Sequence, residues 1–98
     1  MATSKEFISY IKEQLSELEE ITTRLMMGEY IIYYRGKIAA YVCDDRLLIK
    51  PVSAAKELLP DSPLEAPYTG AKPMLLCENT DDKAFLTRLF NAVYPELK

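Results

Sequence analysis

Between Arg24 and Lys50 the chain reads RLMMGEYIIYYRGKIAAYVCDDRLLIK, three short runs of β-branched, aromatic and aliphatic residues separated by Arg35-Gly36 and Asp44-Asp45. Runs of this length between turn-forming pairs predict an antiparallel meander closed by two-residue turns. In that register Tyr34 lies opposite Lys37, Tyr33 opposite Ile38 and Ile31 opposite Ala40. Across the next turn Val42 lies opposite Leu47 and Ala40 opposite Ile49. Side chains alternate along a strand, so the register sorts them into two sets. Ile31, Tyr33, Ile38, Ala40, Val42, Leu47 and Ile49 form an apolar core face. Tyr30, Ile32, Tyr34, Lys37, Ala39, Tyr41, Cys43, Arg46, Leu48 and Lys50 form an amphipathic one. A bulge at Gly36 would exchange the faces on the first of these strands, because a one-residue slip reverses every side chain.

The amphipathic face is the candidate functional surface. Tyr30, Ile32, Tyr34, Tyr41, Arg46 and Leu48 are its candidate partner-binding residues, since tyrosine and arginine are enriched in interface hot spots. The competing reading is that a helix covers this face and makes it second-layer core. Changing Tyr30 and Tyr41 to Ser separates the two: association weakens in the first case, folding fails in the second.

Flanking segments supply helices. Thr3-Ser4-Lys5-Glu6 has capping-box spacing, and Phe7, Ile8, Ile11, Leu15 and Leu18 follow as one helical stripe. Glu17, Glu19 and Glu20 crowd its end, a run best read as a solvated face. Ile21 to Met27 suits a strand, and Gly28 a bend. Lys50-Pro51 stops the meander, Val52 to Leu59 reads as a short helix, and Asp61 to Pro67 as a loop. Tyr68 starts an extended segment broken by Gly70-Ala71-Lys72-Pro73. Met74 to Cys77 is a fully apolar strand expected at a central position or under a helix. Asn79 or Thr80 is the expected cap of a last helix, whose stripe is Phe85, Leu86, Leu89, Phe90 and Val93 and which Pro95 ends. The predicted fold is α+β: an antiparallel sheet of about four to six strands with an N-terminal, a short middle and a C-terminal helix, in one domain over residues 1–98.

Chemistry is sparse. The 98 residues include no His, which removes the commonest general base and the usual triad partner. Gly28, Gly36 and Gly70 are isolated turn glycines rather than a phosphate loop. Asp44-Asp45 is read as a turn pair and Lys50 as an end-of-strand surface lysine, so no catalytic residue is assigned and an enzyme is not expected. No cofactor is expected, and with no His and two separated cysteines, Cys43 and Cys77, neither is a metal site. The cysteines are read as buried thiols in a reducing compartment. A net charge of −3 with no Lys/Arg cluster disfavours direct nucleic-acid binding. There is no apolar run long enough to span a bilayer and no signal-peptide core, so the expected location is cytoplasmic.

The opening MATSKEFISYIKEQLSELEEITTRLMMGEY, followed by IIYYRGKIAAYVCDDRLLIKP, resembles the N-terminal domain of the TfoX (Sxy) family of bacterial competence regulators. Its members share a pattern like Arg-x-Met-Phe-Gly-Gly-Tyr-Gly, a Tyr-Tyr-x-Gly-Lys turn, an Asp-Asp turn and a strand ending in Lys. The matching residues are Arg24, Met26, Gly28, Tyr30, Tyr33-Tyr34, Gly36-Lys37, Asp44-Asp45 and Lys50. The likeness continues through Tyr68 and Lys72-Pro73 to the terminal helix. Met27 replaces the usual Phe, and Glu29 and Ile31 replace two glycines. The resemblance implies an α+β fold similar to small secretion-chaperone-like domains, and a stand-alone N-terminal domain without the helical C-terminal domain of long members. It also implies a role in transcriptional regulation of DNA uptake, as a coactivator working with another regulator. The expected partner is a protein, either such a regulator or a second copy in a homodimer. The alternative is a generic interaction or chaperone-like module with no direct transcriptional role.

Overall fold

The computed structural model describes residues 3–98. Met1 and Ala2, at the head of the stretch that carries the resemblance and of the predicted domain, lie outside them. Its strands are β1 (Ile21–Met26), β2 (Glu29–Tyr34), β3 (Lys37–Cys43), β4 (Arg46–Ile49), β5 (Leu64–Glu65) and β6 (Met74–Cys77). Its helices are α1 (Lys5–Gln14), α2 (Ser53–Leu58) and α3 (Lys83–Val93), followed by a 3-10 turn at Tyr94–Glu96. The strands form one antiparallel sheet in the order β1-β2-β3-β4-β6-β5. The α+β architecture with three helices is what the sequence predicted, and the six strands stand at the upper end of the expected four to six.

Three two-residue turns build the meander. Met27 and Gly28 (φ 54° and 83°), Arg35 and Gly36 (51° and 82°), and Asp44 and Asp45 (53° and 54°) all have positive φ. Positive φ at both central residues is the signature of the type I′ turn, whose twist matches the flanking strands. The predicted pairs Tyr34–Lys37, Tyr33–Ile38, Val42–Leu47 and Ala40–Ile49 form.

The register nevertheless slips once. Ile32 pairs with Ala40 while its neighbour Tyr33 pairs with Ile38, leaving Ala39 as the extra residue of a bulge. Ala39 is completely buried, and its carbonyl accepts the Lys50 N–H at 3.1 Å. Two successive small side chains, Ala39 and Ala40, let the strand kink under the helices without a steric clash. The anticipated face exchange on β2 therefore occurs, driven by a bulge at Ala39 and not at Gly36.

All three helices pack on one side of the sheet. Ile8, Ile11 and Leu15 of the N-terminal segment join Ala55 and Leu59 and the stripe Leu86, Leu89, Phe90 and Val93 over Ile32, Tyr34, Ala40, Val42, Leu47, Ile49, Leu75 and Cys77. Ile32 (0% exposed) and Tyr34 (2%) are thus core, where the unbulged register placed them on the interface. Ile31 and Tyr33, expected in the core, pass to the opposite side with the paired Tyr41. That side holds a smaller cluster of Cys43, Leu48 and Met74 with Tyr41 and Leu76 against it.

Local corrections have local causes. Ser4, not Thr3, caps α1, its Oγ accepting the Phe7 N–H at 3.1 Å. Thr3 is drawn away because Glu29 and the Val42 carbonyl hold its hydroxyl. Asp82 caps α3 in place of Asn79 or Thr80, accepting from the Phe85 N–H at 3.0 Å. The short β5 falls in the segment read as a loop, and the stretch from Tyr68 to Pro73 contains no strand.

Candidate functional site

Because the helices occupy one side only, the other side of the sheet is covered by little more than the loop after β5. Cross-strand pairing sets Arg24, Ile31, Tyr41, Leu48 and Leu76 in one row across it. Next to this row is a groove of about 510 Å³. Ile31, Tyr41 and Cys43 form its floor, Met26 and Met27 one wall, Pro67 and Tyr68 the other, and Glu29 and Tyr30 its end. The walls are unusually open for apolar residues: Met27 is 95% exposed, Met26 40% and Tyr68 59%. Large exposed apolar side chains gathered around one depression mark an interaction site more often than scattered ones do.

Each element has a local reason for its place. The positive-φ turn at Met27-Gly28 projects Met27 from the hairpin tip. Pro67 is buried against the sheet while Tyr68 beside it remains exposed. Methionine is flexible and polarizable, so a Met-Met wall adapts to varied apolar surfaces.

Three groups on the groove, Glu29, Cys43 and Tyr41, are engaged or shifted. The Glu29 carboxylate accepts from the Thr3 N–H (3.0 Å), the Thr3 hydroxyl (2.6 Å) and the Asp44 N–H (3.2 Å). Burial, reinforced by the Glu29 carboxylate, pushes the Cys43 thiol up to about 11. Burial, followed by the nearby Tyr68 and Tyr33, raises the Tyr41 phenol above its ordinary value. Among the described residues no three His, Cys, Asp or Glu side chains come together as a metal ion would require.

The residues named from sequence divide between the two sides. Tyr41 lies on the groove floor. Leu48 is on the same side but fully buried. Arg46 is also there, its Nε donating to the Cys43 carbonyl at 3.2 Å and its guanidinium ion-paired with Glu65. Tyr30 packs against the helix-side core while reaching the groove end, and Ile32 and Tyr34 lie beneath the helices. Tyr30, Tyr41 and Tyr68 therefore line the groove, Tyr33 lies on the same side of the sheet, and Tyr34 is buried beneath the helices. Of the family-pattern residues, Met26 walls the groove and Arg24 sits in the adjoining row. Gly28 and Gly36 make turns, and Lys50 directly follows β4. Lys37 places its ammonium 4.7 Å from the centre of the Tyr94 ring.

Sequence reasoning did not place the groove residues Met27, Glu29, Ile31, Cys43, Pro67 and Tyr68 among the partner-binding candidates. The adjacent methionines were the available signal for the wall. The Pro67-Tyr68 contribution joins segments far apart in the chain, and nothing local announces it.

Cys77, on the helix side, is a free buried thiol like Cys43, and burial raises it to about 11 as well. No helix among the described residues is long and apolar enough to cross a membrane.

Comparison with known proteins gives three findings. The chain is 29% identical over 84 residues to the "Uncharacterized 12.7 kDa protein in trpE 5'region" of Spirochaeta aurantia, covering 86% of this chain and 73% of that protein. No solved structure matches. The TfoX N-terminal domain profile matches residues 13–86, from the end of α1 through β6 and into α3, and so this chain belongs to the TfoX N-terminal domain family.

Proposed function

We propose that this domain is a cytoplasmic regulatory module that acts by binding another protein, in the control of transcription and of competence for DNA uptake. The observation that carries this reading is the apolar groove on the helix-free side of the sheet, walled by the exposed Met26, Met27 and Tyr68. Such a groove suits an apolar segment of a partner protein, because desolvating methionine and aromatic surface drives association. Family membership supplies the regulatory context. The net charge of −3 supports a protein partner over direct phosphate contact.

The test is affinity capture from bacterial lysate with and without nuclease, comparing the wild-type chain with Met27→Glu and Tyr68→Ser variants. A transcription factor or polymerase subunit retained by the wild type and lost from both variants is the expected result. Recovery that disappears on nuclease treatment would refute the protein-binding reading. Retention of only unrelated unfolded clients would favour the chaperone-like module.

A further inference from the structure

We propose that the chain self-associates through the free edge of β1, pairing antiparallel with β1 of a second copy about a two-fold axis centred on Thr23. The proposal rests on the edge itself and does not depend on the groove described above.

β1 is a six-residue edge strand, Ile-Thr-Thr-Arg-Leu-Met, carrying no proline and no bulge. Its opposite number at the far edge, β5, has two residues, and Pro63 precedes it. Natural sheets protect long edges with prolines, bulges, charged side chains or covering segments; β1 has no proline, bulge or lysine, and its one charge is the central Arg24.

The hydrogen-bonding parity of β1 narrows the possible registers. A two-residue hairpin closes on a hydrogen-bonded pair, here Met26 and Glu29. The backbone groups of Met26, Arg24 and Thr22 consequently point toward β2. Consistent with this, the Glu20 carbonyl accepts the Arg35 N–H at 3.0 Å. Ile21, Thr23 and Leu25 turn their N–H and C=O groups to the open edge. A two-fold axis perpendicular to the sheet at Thr23 pairs Thr23 with itself and Leu25 with Ile21 of the second copy. All three outward residues then find matching partners. Centring the axis on Arg24 would instead set two like charges face to face, which is destabilising.

Side chains favour the same register. Leu25 is 61% exposed, although its cross-strand partner Tyr30 packs against the helix-side core. On that side a second depression of about 510 Å³ lies between α1 and β1, lined by Lys12, Leu15, Leu18, Ile21 and Thr23 among others. The pairing brings each exposed Leu25 against Ile21 of the second copy, at the mouth of that copy's depression. Symmetry makes the contact twice. It also sets Arg24 opposite Thr22 of the second copy, one step from that copy's Glu20, so opposite charges approach across the axis. The product is a continuous twelve-stranded sheet with its two helix-free sides coplanar. A six-residue edge with two inserted leucines is at the small end of specific interfaces, so the dimer forms in a concentration-dependent way.

Sedimentation of the full chain between about 1 µM and about 1 mM spans the affinities such an interface can have. The expected result is a monomer–dimer equilibrium that Leu25→Glu weakens by about tenfold or more, because a carboxylate is then buried against Ile21 and Leu15. Met27→Glu, in the groove, leaves the equilibrium unchanged. Mild oxidation of Thr23→Cys links the dimer through a disulfide. Thr22→Cys does not, because its symmetry mate lies across two rows of the sheet. The proposal is overturned by a wild-type chain that stays monomeric throughout, by a dimer indifferent to Leu25→Glu, by a dimer lost with Met27→Glu, or by equal cross-linking at positions 22 and 23. If Leu25→Glu does not fold, the cysteine pair alone decides.

Discussion

The Tyr34 hydroxyl donates a 2.6 Å hydrogen bond to Asn91 Oδ1, joining β2 to α3 across the helix side of the sheet. The Tyr34 ring meets Tyr94 edge-on at 5.3 Å and Phe90 at 6.4 Å. The Arg35 guanidinium lies 5.3 Å from the same ring and 5.6 Å from that of Tyr94. Tyr34→Phe keeps the ring packing and removes one hydrogen bond, so it is expected to cost about 1 kcal/mol. That corresponds to a fall in Tm of roughly 4–8 °C for a domain of this size. Thermal unfolding followed by circular dichroism checks it, and an unchanged Tm would show that the Asn91 contact adds no net stability.

The bulge at Ala39 makes a paired prediction. Ile32 is completely buried beneath the helices, whereas Tyr33 is half-buried on the opposite side. Ile32→Ala should cost about 2–5 kcal/mol, as large-to-small changes in closed cores do. Tyr33→Ala should cost no more than about 1–2 kcal/mol, in the range of partly exposed sites. Urea titrations of the two variants compare them directly. The reverse ranking would mean that β2 follows the unbulged register.

Glu96 clasps the start of α2. Its carboxylate accepts from the Ser53 hydroxyl and from the Ser53 and Ala54 N–H groups at 3.2 and 3.0 Å. α2 has no side-chain cap of its own, so the carboxylate satisfies orphan donors at a helix start. The Ser53 hydroxyl bond, then the Ala54 N–H, hold the Glu96 carboxyl below its ordinary value. A folded-state value below the unfolded one contributes stability above the unfolded value and loses it as pH falls through the folded one. Wild type should therefore exceed Glu96→Gln in urea midpoint at neutral pH. The gap should close as pH drops from the ordinary glutamate range through the lowered one. A gap that persists in stronger acid would exclude the carboxylate as its source.

Both thiols should be inert in the folded chain. Raised to about 11 by burial, they hold a thiolate fraction at pH 8 smaller than a free cysteine's by on the order of a few hundred-fold. Labelling with a chromogenic disulfide at pH 8 should be slow natively and fast in denaturant. Fast native labelling of one thiol would place that cysteine in an open, accessible state.

Much of the architecture was legible because it is written in local rules. Asp44-Asp45 and Arg35-Gly36 adopt the positive φ their turns require. The α3 stripe Leu86, Leu89, Phe90 and Val93 is buried as its spacing implies, and Met74 to Cys77 forms the expected strand. The site was less legible. Alternation along β2 is unambiguous, but the face it offers depends on one extra residue in β3. Ala39 and Ala40 look alike in sequence, and only packing against the helices distinguishes the bulged one.

The chain's own pattern determined the element types, the hairpin turns and the family, because turn chemistry and side-chain period act over a few residues. Only the tertiary structure decided which side of the sheet the helices cover, where Tyr34 and Tyr33 go, and that Pro67-Tyr68 closes a groove opposite Met26-Met27. Those outcomes depend on contacts between segments distant in sequence. There, fitting volumes under three helices outweighs what any single strand prefers on its own.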